Sequence, residues 1–477
     1  MAMDYREFIS KDKSMLIAPA GYGKTHTIIE CLRVSDGRQL VLTHTHAGIA
    51  SINEKIRKEK VPASKFSIET ISGFTQKYVL AFCRADEIPS QDDAKAYHPF
   101  IIRKAIELFA MQPIRGILKS TYAGLFVDEY QDCTLSQHEL VTQLCGILPT
   151  RILGDHMQGI FDFNDDLVDL TDPSHLGGFL ENRYTLDQPK RWEASNAKLG
   201  EDIKAVRGSL ERGEQIDFSK HESIELHVHK EIEVYDMRSD YYKKLGAMRN
   251  LNGVLLIHPD NFGLAPRKKI TSLFNNAFRL LESVDDPDFY ALAREVDACK
   301  PEDALKCVSR LAYALFNSTA LKTWLNERGF IRKSQEAEQK AIAPVRAAAE
   351  RFARSMSFLD LATVLRMLRR LPKVVCYRYE LFHSLVGALE NAHHGSLSAY
   401  ESMVAWRNKM RRIGRKAEGR SFGTTLLTKG LEFDTVVILN AQKFTCPKNL
   451  YVAISRAKKR LIIFSSTPII SPYKLKG

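Results

Sequence analysis

The sequence predicts an α/β protein with parallel sheets, built as two α/β domains that carry inserted helical subdomains. Three observations lead there. Over the first 190 residues short β-type runs alternate with helical stretches, the rhythm of a parallel sheet covered on both faces. The runs Met15-Leu16-Ile17-Ala18, Leu40-Val41-Leu42-Thr43, Leu125-Phe126-Val127-Asp128 and Arg151-Ile152-Leu153-Gly154 each end where a chemically distinctive segment begins. Ligands of such folds bind at the carboxyl edge of the sheet. Finally, the rhythm breaks twice, in a helical stretch near 81–121 and in a long run, 269–414, rich in Ala, Leu, Glu, Arg and Lys. The expected division is therefore a first α/β domain over 1–190 with a short insertion near 81–121. A second α/β domain covers 191–268 and 415–470, and a mainly helical domain, 269–414, is inserted within it. Its candidate strands are Ile224–Val228, Val254–Ile257, Thr435–Leu439 and Arg460–Phe464.

With 477 residues and an apolar share of 44%, the chain has material for two or more cores. The net charge of +12 favours a polyanionic partner without specifying one. Eight cysteines are scattered with no C-x-x-C pair, so neither a zinc ribbon nor a disulfide framework is indicated, and a reducing, cytoplasmic setting is expected. No apolar stretch reaches the roughly 18 residues of a membrane span, so no membrane partner is expected.

The segment Ala18-Pro19-Ala20-Gly21-Tyr22-Gly23-Lys24-Thr25 follows one strand and opens a helix. That context suits a phosphate cradle, in which glycines tolerate positive φ, inward N–H groups and a lysine meet phosphate oxygens, and a hydroxyl reaches Mg²⁺. The triphosphate-binding candidates are Ala20, Gly21, Tyr22, Gly23, Lys24, Thr25 and His26. About a hundred positions on, Asp128-Glu129-Tyr130-Gln131-Asp132 follows another strand. Asp128 with Thr25 makes the Mg²⁺ pair, and Glu129 is placed to polarise an attacking water. Together the two segments specify a Mg²⁺-dependent nucleotide triphosphatase. Trp406 to Lys416 adds six basic residues in eleven positions with no acid, a phosphate-binding strip or else a solvated face.

Three further segments complete an ordered set: Gly154-Asp155-His156-Met157-Gln158, Lys429-Gly430-Leu431-Glu432-Phe433 and Tyr451-Val452-Ala453-Ile454-Ser455-Arg456-Ala457. In this order the set resembles the UvrD/Rep/PcrA branch of the superfamily 1A DNA helicases. The resemblance implies two RecA-like P-loop NTPase domains (1A and 2A) with helical insertions 1B and 2B, and ATP and Mg²⁺ as cofactors. It implies a γ-phosphate sensor at Gln158, arginine fingers at Arg456 and Arg191, and a ribose contact at Glu432. Here the family's Asn-Tyr-Arg before the second finger is Pro189-Lys190-Arg191, and the competing reading of Glu432 is a tight turn. The family reads adenine with a glutamine upstream of the phosphate loop. None occurs in the first 38 residues, which loosens the expected preference for ATP.

The same resemblance implies a single-stranded or partly duplex DNA track. Thr43-His44-Thr45 aligns with the family's Thr-Phe-Thr, which puts His44 at a stacking position. Ser72 and Thr428 stand at phosphate-contact positions, Phe161 and Phe163 at base-stacking ones, and Arg411, Arg412, Arg415 and Lys416 belong to the basic strip. The competing reading of Phe163 is a buried core ring, and of alternating His44 and His46 a metal site without further ligands. The implied activity is 3′-to-5′ translocation or unwinding. The alternative is a DNA-stimulated ATPase sensor that signals to a partner without productive unwinding, motivated by the short insertion and by Leu426 where the family has histidine. A nucleotide-switch protein or P-loop kinase leaves the segment ending at Arg456 unexplained. More narrowly, the length and Thr424–Glu432 are similar to the UvrD-like (GajB-like) helicase subunit of Gabija-type anti-phage systems. There the partner in a hetero-oligomer is an OLD-family (TOPRIM) nuclease.

Overall fold

A computed structural model describes residues 3–91, 93–160, 166–259, 264–282, 287–326, 329–395, 397–413 and 419–473. The chain divides into two compact units, one comprising 1–263 with 411–477 and the other 264–410.

The first unit holds two parallel sheets, and this is an α/β two-domain P-loop NTPase fold. Strands β1 (Lys13–Ile17), β2 (Gln39–Thr43), β3 (Phe66–Thr70), β4 (Gly124–Val127), β5 (Thr150–Gly154) and β6 (Arg183–Thr185) lie in the order β3-β2-β4-β5-β1-β6. All residues of β2, β4 and β5 are buried, as expected for parallel strands covered on both faces. Alternation sends Met15, Leu40, Leu42, Leu125, Val127 and Ile152 into one core, whereas Leu16, Val41, Phe126 and Leu153 enter the other. Helices Ile71–Phe82, Ala94–Ala110 and Gln112–Thr121, which span the expected insertion, share the first of these cores through Phe74, Phe109 and Leu118.

Register decides what the sheet can present. Val127 pairs with Ile152 and Leu16 with Leu153, so β4, β5 and β1 end together at one edge. Three of the distinctive segments therefore emerge side by side. Side-chain caps fix where their helices start: Thr45 accepts from Gly48 N and Thr70 from Gly73 N. Thr134 and Gln137 form a reciprocal capping box, which gives Gln137 a structural task after the acidic segment.

The second sheet is built from β7 (Ile224–Val228), β8 (Val254–His258), β9 (Arg420–Thr424), β10 (Phe433–Ile438) and β11 (Ala457–Ser465). Within this unit they run β9-β8-β10-β11-β7, all parallel. The unit over 264–410 is helical, with Ala304–Leu315, Glu336–Ser355, Phe358–Leu368 and Tyr379–Gly395 packed around Val308, Leu311, Leu365 and Leu385.

Trp192 ties the two lobes of the first unit. It is fully buried, its Nε1 donates to Ala457 O at 2.8 Å, and its ring faces Gly21 and Gly200. A side chain at Gly21 would meet the ring at 2.8 Å from a backbone with φ of +79°, so the close approach requires glycine. Replacing Trp192 by Ala is expected to lower stability by about 3–5 kcal/mol, read as a shift in the urea midpoint. Trp192→Phe should lose less, since it keeps most of the ring and leaves only the Ala457 carbonyl without its donor.

Candidate active site

A cleft of about 480 Å³ runs between the two lobes of the first unit. Its floor is the loop after β1. Ala18 N donates to Gly154 O at 3.1 Å, which anchors the loop to β5. Gly21 and Gly23 both have positive φ (79° and 111°), and Gly23 caps the helix Lys24–Val34. The amino end of that helix opens into the cleft, where unpaired N–H groups and the helix dipole favour an anion. Lys24 is 93% buried, since 7% of it is exposed, and its Nζ donates to Ala18 O at 2.9 Å. Thr25 and His26 line the cleft, and Tyr22 of the loop is buried.

Asp128 and Glu129 follow β4, with Glu129 in the left-handed region at φ of 56°. Both are deep in the site. Burial, then the adjoining Glu129 charge, raises the Asp128 carboxyl far above its usual range. Burial alone would raise Glu129 as well, but Lys24, Lys429 and the Gln131 amide outweigh it and lower this group. The pair therefore behaves as one ionised acid beside one crowded acid, an arrangement that a cation relieves. Gln131 Nε2 donates to Glu129 at 2.6 Å, and Gln131 Oε1 accepts from Asp155 N at 2.9 Å. Mg²⁺ fits this donor set. It takes few protein ligands and keeps phosphate and water oxygens, so the Asp128 carboxylate and the Thr25 hydroxyl supply what it needs.

From the second lobe come Arg456, Lys429, Glu432 and Arg191. Arg456 is 97% buried and donates through Nη2 to Gln158 Oε1 at 3.2 Å, while its Nε is held by Val452 O at 2.8 Å. Burial, then the nearby Arg191 charge, pushes its guanidinium down to about 10, against the pull of Glu129 and Glu432. It remains cationic at neutral pH. Lys429 forms a buried ion pair with Asp132 and donates to Gln158 O. Arg191 Nη2 donates to Glu432 Oε1 at 2.6 Å, and Arg191 Nη1 to Ser455 O. Against burial, Arg191, Lys55 and Arg456 hold Glu432 at about 2.

The structure brings together around one cleft Ala20, Gly21, Gly23, Lys24, Thr25, His26, Asp128, Glu129, Gln158, Arg191, Glu432 and Arg456, all expected at the triphosphate, whereas Tyr22 is buried and does not line it. Gln131, Asp132 and Lys429, which lie in the same sequence segments, join them as hydrogen-bond and ion-pair partners. Arg207, at the same seam, lies in no motif and had no signal in the sequence.

The expected DNA contacts are not gathered in the same way. Thr43 and Thr428 are fully buried, and the Thr428 hydroxyl donates to Thr424 O and Thr425 O at 3.0 Å. Neither is presented to solvent in this arrangement, because each closes a strand or helix end. Thr45 caps its helix beside the cleft, and Ser72 is exposed at the start of Ile71–Phe82. His44 is half-buried with Nε2 3.4 Å from Cys133 Sγ. Arg411 and Arg412 lie in the helix Ala399–Ile413. Phe161, Phe163, Arg415 and Lys416 fall outside the described residues. Among the described residues no group of three or more His, Cys, Asp or Glu could hold a metal by itself, and no helix is long and apolar enough to cross a membrane.

The model of the family described as AAA domain matches residues 5–164, the stretch from the first helix through Gln158. This domain is found in UvrD/Rep-like superfamily 1 helicases, and the match agrees with the α/β two-domain P-loop NTPase fold above. No curated protein matches the chain.

Burial, reinforced by Lys429, pushes the His44 imidazole down to about 3. The unfolded chain therefore binds a proton near pH 6.5 that the folded protein refuses. The contribution of His44 is complete above that pH and is lost as pH falls towards 3. Between pH 7 and 5 the wild type should lose on the order of 1 kcal/mol more than His44→Gln, measured by urea denaturation of both proteins at each pH.

Proposed function

We propose that this protein is an ATP-driven motor of the UvrD-like type, hydrolysing ATP with Mg²⁺ to move 3′ to 5′ along single-stranded DNA, with duplex unwinding as an associated activity. One observation carries the reading: Arg456 of the second lobe donates to Gln158 of the first, within the cleft that also holds Lys24, Asp128 and Glu129. An NTPase that used nucleotide only as a static ligand has no need of an arginine from a second lobe aimed at a polar group of the first. A motor does, since such an arginine reports lobe closure to the site of hydrolysis.

In this mechanism Lys24 leaves the Ala18 carbonyl for phosphate oxygens, and Glu129, kept ionised by the surrounding cations, orients and deprotonates water. Thr25 and Asp128 would hold Mg²⁺, which would supply charge neutralisation at the phosphates. Arg456 and Arg191 stabilise the charge that spreads over the transferred group. Loss of the γ-phosphate removes their shared anion and lets the lobes part, and alternation of grip between lobes turns this into movement.

The burial of Thr43 and Thr428 favours a second reading, a DNA-stimulated ATPase that signals to a partner without productive unwinding. For either reading, the similarity of Thr424–Glu432 to Gabija-type subunits supports an OLD-family nuclease as partner and a role in anti-phage defence. Lys24→Ala and Glu129→Gln are each expected to reduce DNA-stimulated ATP hydrolysis by about 100-fold or more while single-stranded DNA is still bound. Normal turnover in either variant refutes the site. Directional displacement of a labelled strand from 3′-tailed duplex supports the motor, and stimulated hydrolysis without displacement or translocation supports the sensor.

A further inference from the structure

Arg207, in the helix Ala197–Glu211, is buried at the seam between the lobes. Its Nη1 donates to the Asp155 carboxylate at 2.8 Å and to Tyr451 Oη at 3.0 Å, and its Nε donates to Glu211 at 3.0 Å. Its guanidinium carbon stands 5.0 Å from the centre of the Tyr451 ring. Arg207 and Tyr451 belong to the second lobe and Asp155 to the first.

Two arms leave this guanidinium. Along one, Asp155, fully buried, accepts from Gln158 Nε2 at 2.8 Å, and Gln158 Oε1 then accepts from Arg456 Nη2 at 3.2 Å. That order fixes the amide. Turned over, Gln158 would set its oxygen against a carboxylate and its NH₂ against a guanidinium, two repulsions in place of two hydrogen bonds. Asp155 thereby selects the orientation that receives Arg456. As a buried carboxylate it needs a counter-charge, and Arg207 brings one from across the seam. Along the other arm, the Tyr451 hydroxyl accepts from Ala20 N at 3.0 Å, which pins the phosphate loop next to Gly21.

We infer that Arg207 is a positioning residue that clasps the second lobe to both the Asp155–Gln158 relay and the phosphate loop, so that Gln158 and Arg456 are aligned for phosphoryl transfer. This rests on the NTPase reading above. The clasp acts on catalysis through Asp155 and on nucleotide binding through Tyr451, and separation of the lobes breaks both arms at once. Burial opposes the charge on Arg207, but Asp155, Tyr451 and Glu211 together more than restore it.

The two arms make different kinetic predictions. Steady-state hydrolysis of MgATP by the full chain with single-stranded DNA is compared for wild type, Arg207→Met, Arg207→Lys, Asp155→Asn, the Asp155→Asn/Arg207→Met double variant and Tyr451→Phe. Arg207→Met should lower kcat by about tenfold or more, with KM changed by less than about threefold because Tyr451 keeps its own hydrogen bond from Ala20 N, and Arg207→Lys should recover part of the loss. The double variant should be no worse than the worse single one, since the residues act in series. Tyr451→Phe should instead raise KM by about threefold or more, because the phosphate loop loses its anchor while the relay stays intact. Multiplying losses in the double variant, or kcat near wild type in Arg207→Met, overturns the inference. Should Arg207→Met fail to fold, the volume-conserving Arg207→Lys and Tyr451→Phe decide, and wild-type kcat and KM in both overturn it. A wild-type protein that hydrolyses no nucleotide refutes the proposed function itself.

Discussion

The lobes of this protein meet across charge. Asp128 and Asp132 lie buried on one side with Glu129 half-buried between them, and Lys429 and Arg456 reach them from the other, with Lys429 paired to Asp132 where neither has access to water. Taking such groups out of water costs several kcal/mol per ion and is offset only while the partner stays in place. An apolar seam would hold the lobes indifferently to any ligand. A polar one responds to whatever alters the charge between them, and a triphosphate with its Mg²⁺ is the largest change of charge that this cleft can receive.

Each group expected to meet a phosphate already has a protein acceptor. Lys24 rests on the Ala18 carbonyl, Arg191 on Glu432 and Ser455, and Arg456 on Gln158 and Val452. None of these cations is left bare in a dry cavity, which would be unfavourable. Their acceptors are mostly neutral, and an arriving anion competes well against a carbonyl or amide oxygen. Arg191 differs because Glu432 is a carboxylate. Its release in the proposed cycle requires an anion of comparable strength, such as a phosphate.

Much of this could be read from residues alone. Strands that end in glycine, acid or amide residues announce their function because the parallel sheet delivers all those ends to one edge, and β1, β4 and β5 lie side by side as that logic requires. What escaped lacks an apolar or spacing signal. Strands β3 and β9, Phe66-Ser67-Ile68-Glu69-Thr70 and Arg420-Ser421-Phe422-Gly423-Thr424, are too polar to stand out, and they form because parallel neighbours supply their hydrogen bonds. The resemblance implies a ribose contact at Glu432 and gives no hint that its carboxylate is also engaged by Arg191, a pairing between positions 241 residues apart. Arg207 carries no local pattern at all. Its partners Asp155 and Tyr451 come from two other segments, and only the folded seam joins them.

In the proposed cycle the pairing of Glu432 with Arg191 and the ribose contact that the resemblance implies succeed one another on one side chain. While the cleft holds no phosphate, Arg191 is the cation that keeps Glu432 ionised, together with Lys55 and Arg456. In the proposed cycle a phosphate draws Arg191 away, and the carboxylate left behind must find another donor within the cleft. A ribose hydroxyl is a donor of the right strength, held at the right end of the same ligand. Engagement at the phosphates and recognition at the sugar are thereby linked through one salt bridge, and a ligand that lacks either part leaves a charge unsatisfied. In the proposed cycle, selectivity for a whole nucleotide then follows from the cost of leaving a partly buried carboxylate without its partner.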